Sequence, residues 1–357
     1  MLITILSFLI VLGVLIFIHE FGHYIMAKKS GIKVEEFALG FGPRILSKKK
    51  GETVYSIRLI PLGGFCNMTG EFPPDKETDE EELKIYRQAE KEGRCFHQKS
   101  ILTRFLVIFM GPFMNFMLAA FIFIFIFAVF GLPVDSSHTT VIGELDPSKP
   151  AAEAGLQPGD KIIAVADKEV NSWEEMAKII HGSAKKKVSI KFERNNNIKE
   201  VLVIPEYNEE IDAAVIGIYP QLIRERINIF KAIKLGLLQT YRVVYFTLAG
   251  FIQMISNRST EGLGGPVMIA SIVGQAARVG LSNLLSWMAI ISVNLGIINL
   301  LPFPALDGGR ILFIIFEIIR GKPVPPEKEG FVHFIGFVIL ITLMVFIIYR
   351  DIVRAIF

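Results

Sequence analysis

The stretch that decides this chain is Phe17-Ile18-His19-Glu20-Phe21-Gly22-His23-Tyr24, which closes an unbroken apolar run from Met1 to Ile18. A run of that length reads as a membrane-spanning helix. Histidines four apart on a helix project from nearly the same face, so both imidazoles can hold one Zn²⁺ while the Glu between them takes a proton from the attacking water. Ionisable groups on a membrane helix are costly unless they face a protein interior or a wet cavity, which makes a functional reading the default. No positive region precedes the run and no small-residue cleavage site follows it, so the segment is expected to stay attached as a helix.

Composition agrees with a membrane setting. Of 357 residues, 52% are hydrophobic, too many for an ordinary soluble protein of this length. The net charge is only +3, and the basic residues cluster beside apolar segments, which suits lipid headgroups and gives no indication of nucleic-acid binding. Cys66 and Cys95 lack CxxC spacing and read as reduced thiols, with neither a disulfide framework nor a cysteine zinc site.

Four segments can span about 30 Å of hydrocarbon at about 1.5 Å per residue: Leu2 to Tyr24, Phe105 to Phe130, Leu284 to Leu301 and Phe331 to Tyr349. Lys28, Lys29 and Lys48 to Lys50 place the first loop in the cytoplasm. Alternation then puts both termini and Val134 to Asn283 outside, although Arg350 and Arg354 run against the charge rule. The expected fold class is an α-helical polytopic membrane protein with four transmembrane helices, a membrane-associated β-hairpin and one inserted extracytoplasmic α+β domain. Residues 1–133 form the first half of the membrane domain, 134–207 the inserted domain, 208–283 interfacial amphipathic helices and 284–357 the second half.

Within the first loop, Tyr55, Ile57 and Leu59 alternate with Ser56 and Arg58, and Pro61 with Gly63-Gly64 punctuates the run. That pattern predicts a β-hairpin within Thr53 to Met68, dipping into the membrane edge. Asp75 to Lys91 reads as a solvated cytoplasmic helix or a flexible excursion without chemistry. In the inserted domain, a Pro158-Gly159-Asp160 turn feeds a strand at Lys161 to Val165, followed by a helix at Trp173 to His181 and a strand at Lys187 to Arg194. Ile229 to Ile255 carries Lys231, Lys234, Gln239, Arg242 and Gln253, which fits the interface better than a fifth span.

Two histidines do not complete a catalytic zinc site, which usually has three protein ligands. His97, His138 and His181 fall in loops or the inserted domain, and His333 opens the fourth span without a partner motif, so all four read as packing or surface residues. Asp307 stands out, placed just after the third span at the same depth as the histidine pair. Glu317 competes from beyond the Gly308-Gly309 break, and a turn cap is the other role open to Asp307. Asn299 can hold a substrate carbonyl or an oxyanion, or make an interhelical hydrogen bond. A site role and interhelical bonding are equally open to Asn115.

Taken together, His19 to His23, the pattern N-x-x-P-x-P-x-L-D-G at Asn299 to Gly308 and the inserted domain resemble the site-2 protease family of intramembrane zinc metalloproteases, nearest the bacterial group that cuts anti-sigma factors. The likeness takes in Phe37 to Pro43, Pro61 to Phe65, Gly111-Pro112 with Asn115, and Gly265-Pro266. Ala154-Gly155-Leu156-Gln157-Pro158-Gly159-Asp160 is similar to a protease-associated PDZ domain. The resemblance implies cleavage of single-pass transmembrane proteins in the bacterial cell membrane, an anti-sigma factor or signal-peptide remnants among them. It implies one Zn²⁺ on His19, His23 and Asp307, Glu20 as general base, and Asn299 and Asn115 holding a loosened substrate segment. Strand addition to the hairpin, with Ile57, Gly63 and Gly64, would give that segment new hydrogen-bond partners. The PDZ-like domain would bind a peptide or act as a steric filter. Larger relatives carry two such domains in tandem, and this chain has room for one. A PDZ-containing membrane scaffold or a zinc transporter is the competing class, against which the intervening Glu argues, since transport needs no general base.

Overall fold

The computed structural model describes residues 2–71, 80–133, 139–146, 149–208, 213–221, 224–257 and 265–356. Along the chain the elements are α1 (Leu2–Lys29), β1 (Val34–Lys50), β2 (Thr53–Met68), α2 (Glu80–Lys91) and α3 (Ile101–Val129). Then come β3 (Leu132–Pro133), β4 (Ile142–Leu145), α4 (Pro150–Glu153), β5 (Lys161–Val165), β6 (Lys168–Glu169), α5 (Trp173–His181), β7 (Val188–Arg194) and β8 (Asn197–Val203). Four short strands follow, β9 (Glu206–Asn208), β10 (Ala213–Val215), β11 (Ile218–Pro220) and β12 (Arg224–Glu225). The chain closes with α6 (Ile229–Asn257), α7 (Pro266–Val279), α8 (Leu281–Leu300), α9 (Asp307–Arg320) and α10 (Pro326–Ile356). Two compact units result, Met1–Ala128 with Asn228–Phe357, and Val129–Ile227.

In the first unit, α1, α3, α8 and α10 contain the four segments read as spans. A fifth helix, Ile229–Met254, is also long and apolar enough to cross a bilayer, with the lowest hydropathy of the five, 1.3 against 1.7 to 2.9 for the others. Its Lys231, Lys234 and Arg242 lower the average, which is why the sequence pointed to the interface. Val11 and Leu15 of α1 pack with Val273 of α7, and α8 joins them through Leu284, Met288 and Ile291.

The first loop builds more than a hairpin. The first half of β1 pairs on both sides, Phe37 with Cys66 and Tyr55, Ala38 with Phe65 and Ser56, Leu39 with Gly64 and Ile57. The second half of β1 folds back to pair Leu46 with Ile57 and Lys48 with Tyr55. The strip order is therefore 44–50, 53–58, 34–39, 64–68, so the expected hairpin within Thr53 to Met68 is replaced by a sheet whose two β2 halves flank β1. A period-two pattern marks residues as strand but leaves their partners open.

Glu36 pins this fold-back. Its buried carboxylate accepts hydrogen bonds from Ser56 Oγ (2.5 Å) and Arg58 Nη2 (2.8 Å) of strip 53–58 and from Arg44 Nη2 (2.6 Å) of strip 44–50. Burial works against its charge, but the bonds from Arg44, Ser56 and Arg58 outweigh burial and hold the carboxyl at about 2. Its contribution to stability is thus complete above the ordinary carboxylate value of 4.5 and is lost as pH falls toward about 2.

The second unit holds a four-stranded sheet of order β6-β5-β7-β8, with α5 against it. Ile162, Val165, Ile190, Phe192, Met176 and Ile180 form its core. Ser172 caps α5 by accepting from Glu175 N–H, so the helix starts where the sequence placed it. The unit reaches beyond Tyr207 because β11 pairs with β4 and β12 with β3. His138 and the start of the Asp75 to Lys91 stretch lie outside the described residues; Glu80–Lys91 is the helix α2.

We predict that Glu36→Gln weakens the sheet by about 1–3 kcal/mol, since two guanidinium groups lose their charged partner. Thermal unfolding of the purified protein in detergent reads this directly, and an unchanged midpoint would refute the pinning role.

Candidate metal centre

His19 and His23 sit one turn apart on α1, buried, with their Nε2 atoms 3.3 Å from each other. Asp307, the first residue of α9, brings its Oδ2 to 3.1 Å from His19 Nε2 and 3.4 Å from His23 Nε2. These three form the one group among the described residues that could hold a metal ion. The local chain explains the convergence. His23 lies flat against α3 because position 111 is glycine: a Cβ there would stand 2.2 Å from His23 Nε2. No side chain caps α9, so the Asp307 carboxylate is not spent on its own helix. The competing carboxylate, Glu317, accepts from Arg104 at 2.6 Å instead.

The donor set fits zinc. His23 Nδ1–H donates to the Val107 carbonyl at 2.9 Å, which leaves Nε2 as the lone-pair end of the ring. Asp307 Oδ2 is buried with no hydrogen-bond donor among the described residues. Ligands held tetrahedrally by bonds of about 2.0–2.1 Å stand roughly 3.3–3.4 Å apart, close to the spacing of these three atoms.

Asn115 stands behind this group, fully buried, its side-chain amide 3.2 Å from His19 Nδ1. With His19 Nε2 facing the metal position, Nδ1 carries the proton and needs an acceptor. The two ends of an amide have the same shape, and with Oδ1 turned to His19 it accepts that proton and also relieves the buried Oδ1 of its lack of a partner. Ser292 Oγ donates to the Asn115 carbonyl at 2.8 Å, tying α8 to α3 at this level. Of the two roles open to Asn115, the structure favours the interhelical bond, since the side chain is covered and faces a histidine.

A cavity of about 230 Å³ opens on the other side, lined by Ile16, His19, Glu20, Gly63, Gly64, Leu295, Asn299, Ala305, Leu306 and Asp307. It gathers Glu20, Asn299, Gly63 and Gly64 as expected. Ile57 is not among its walls; it is half exposed on the inner strip 53–58. The strip that reaches the cavity is 64–68, where a Cβ on Gly64 would stand 3.2 Å from Glu20 Cγ. Cys66 and Cys95 are buried free thiols. Of the histidines set aside, His97 contacts the Gly70 carbonyl and His181 lies in the second unit, but His333 bonds to the backbone of Ala305 beside the cavity. Sequence reading missed it because its partner is a main-chain N–H.

A zinc-type donor set inside a bundle of apolar helices is the build of an intramembrane zinc metalloprotease. Residues 7–343 match Peptidase family M50, and the chain belongs to that family. It is 36% identical to the zinc metalloprotease RasP of Geobacillus kaustophilus over 98% of this chain and 97% of that protein. It is 32% identical to the regulator of sigma-W protease RasP of Bacillus subtilis over 98% of each. A quarter of the chain is similar to the PDZ domain of an SdrC-like protein from Listeria monocytogenes, with 19% identity, a TM-score of 0.22 and 93% of that domain covered. The protein is thus a multi-pass membrane enzyme, a zinc-dependent protease of regulated intramembrane proteolysis.

If Asn115 orients His19, Asn115→Leu should weaken zinc binding by about 10–100-fold, while Asn115→Asp, which keeps an acceptor, should retain it. Competition with a fluorescent chelator measures both, and equal affinities for the two variants would exclude the role.

Proposed function

We propose that His19, His23 and Asp307 hold the zinc and that Glu20 is the general base for hydrolysis of a transmembrane substrate. The convergence of three lone pairs within hydrogen-bonding distance carries this reading. Bound zinc supplies Lewis acidity, polarising the scissile carbonyl and making water easier to deprotonate. Glu20 projects into the same cavity as His19 and Asp307, so its carboxylate can take the proton from the attacking water and pass it to the leaving amine. Asn299 has no side-chain partner among the described residues and lines the cavity, which suits a group that holds the substrate carbonyl.

A substrate helix must lose its internal hydrogen bonds to be cut, and in a bilayer those groups need new partners. Strip 64–68 pairs with β1 on one edge and has no strand on the other among the described residues. Its Gly64 stands beside Glu20, so a strand added there passes the base.

The four-span topology is supported by the ends of the bundle. α3 starts at the site level, with Val107 against His23, and runs away from it; α8 ends at the site with Asn299 and so begins at the far face. Between α3 and α8 the chain therefore crosses an even number of times, so a crossing by α6 requires a second one before α8. α7 is tied to that far face, since Met268 N–H donates to Asp351 near the end of α10 and Gly274 packs on Thr4 at the start of α1. Lys28 and Lys29 at the site end make that face cytoplasmic, with both termini and the second unit outside.

In the second unit, Trp173, Met176 and Ile180 of α5 and Ile218 and Tyr219 of β11 line a groove of about 290 Å³. It fits an extended peptide, which supports the PDZ-like reading over a plain steric filter. The substrate we infer is a single-pass membrane protein of the anti-sigma-factor type, by analogy with the relative named for sigma-W regulation.

Glu20→Gln should keep zinc and lower cleavage of a single-pass substrate by about 10²–10⁴-fold, whereas Asp307→Asn should lose both zinc and cleavage. Metal analysis of the purified variants beside a cleavage assay checks this; full activity of Glu20→Gln would sink the base assignment. Proline at Phe65 or Cys66, whichever directs its N–H to the open edge, should lower cleavage by about 10-fold or more with zinc retained. Unchanged turnover in both proline variants would rule out strand addition at this edge.

A further inference from the structure

Asp307 follows a turn that is held in an uncommon shape. Ala305 has φ +74, in the left-handed region that a residue with a side chain seldom occupies unless its surroundings impose it. The imposing group is on α10. His333, buried, accepts through Nδ1 from the Ala305 N–H at 2.8 Å. Gly336, one turn further on the same face, lets the helix backbone press on the turn, since a Cβ there would stand 2.4 Å from Pro304 Cβ and 2.5 Å from the Pro304 carbonyl oxygen. The Phe313 ring of α9 packs against the imidazole with centroids 5.4 Å apart. α10 thus grips Pro304 and Ala305 immediately ahead of the carboxylate, while Ala305 and Leu306 themselves line the cavity.

We propose that His333 is a positioning residue which, with Gly336, clamps the Pro304-Ala305 turn and so fixes the Asp307 carboxylate against His19 and His23. The clamp rests on the reading of Asp307 as a zinc ligand. Its chemistry is specific: a neutral imidazole accepting at the δ position and touching neither metal nor substrate. An apolar side chain of similar bulk fills the space but leaves the Ala305 N–H without an acceptor, so the turn relaxes and the carboxylate loses its register. Asparagine restores an acceptor, because its amide oxygen occupies the place of Nδ1. Glutamine carries a methylene there and places its amide further out.

The test uses the full-length protein purified in detergent, with zinc affinity read by competition with a fluorescent chelator and kcat and KM measured separately. H333L should bind zinc about 10-fold or more weakly and lose kcat with little change in KM, whereas H333N should stay within about twofold of the parent in both. H333Q should behave as H333L does, and that comparison with H333N decides the matter if H333L fails to accumulate. Equal zinc affinity in H333L, H333Q and the parent would overturn the clamp while D307N still loses zinc. Retention of zinc by D307N would instead overturn the reading of the site, and the clamp with it.

Discussion

Three acceptor atoms brought to within 3.1–3.4 Å of one another in an apolar bundle are the constraint on which the rest of this structure depends. In water such a cluster would disperse or bind solvent. Here the protons that might relieve it point elsewhere: that of His23 faces the Val107 carbonyl, and that of His19 faces Asn115. Lone pairs so arranged repel unless a cation sits among them, and the helices nevertheless close around them. Gly111 removes the Cβ that would displace His23, and Ser292 holds α8 to α3 behind Asn115.

On the proposed strand addition, the sheet next to the site would answer a second constraint, the backbone groups of a substrate in a medium without water. An exposed strand edge is ordinarily a liability, since it invites pairing with any chain that meets it. This edge runs beside Glu20, so pairing there is productive only for a chain that reaches the base. Glu36 lies on the strip that pairs with this edge, opposite Asn67, and its bonds to Arg44, Ser56 and Arg58 join strips 34–39, 44–50 and 53–58.

Much of this was legible in the sequence because it concerned energetic anomalies. His19, Glu20 and His23 on an apolar helix announce a site through the expense of putting them there, and Asp307 follows from its depth after a span. The helix Trp173–His181 was read from the sequence with the bounds the structure shows. What escaped has a common cause. The fold-back of β1 between the halves of β2 is a matter of partners, and alternation carries no partner information. The reach of the second unit to Ile227 rests on strands of two and three residues, too short for any period to register. Asn115 stayed open between a site role and an interhelical bond because an amide serves a carbonyl or an imidazole equally well, and only the packing of α3 on α1 distinguishes them. His333 looked isolated because its partner is the N–H of an alanine in a left-handed turn, a conformation that alanine does not advertise.

Two of these misses, Asn115 and His333, share a direction, toward groups that support the proposed ligands rather than the substrate. The histidines come from the first helix and the carboxylate from the ninth, so the metal position joins parts of the chain separated by most of its length. An ion that bridges such distant segments is held tightly only if each side is already in place when it binds, since ordering them on binding would consume affinity. On the α1 side, α3 does this through the Val107 carbonyl and Asn115. On the α9 side the corresponding contacts come from α10, against the turn before Asp307. On the proposed ligand set, α3 and α10, which give the metal no ligand, are then the helices that set how well it is held.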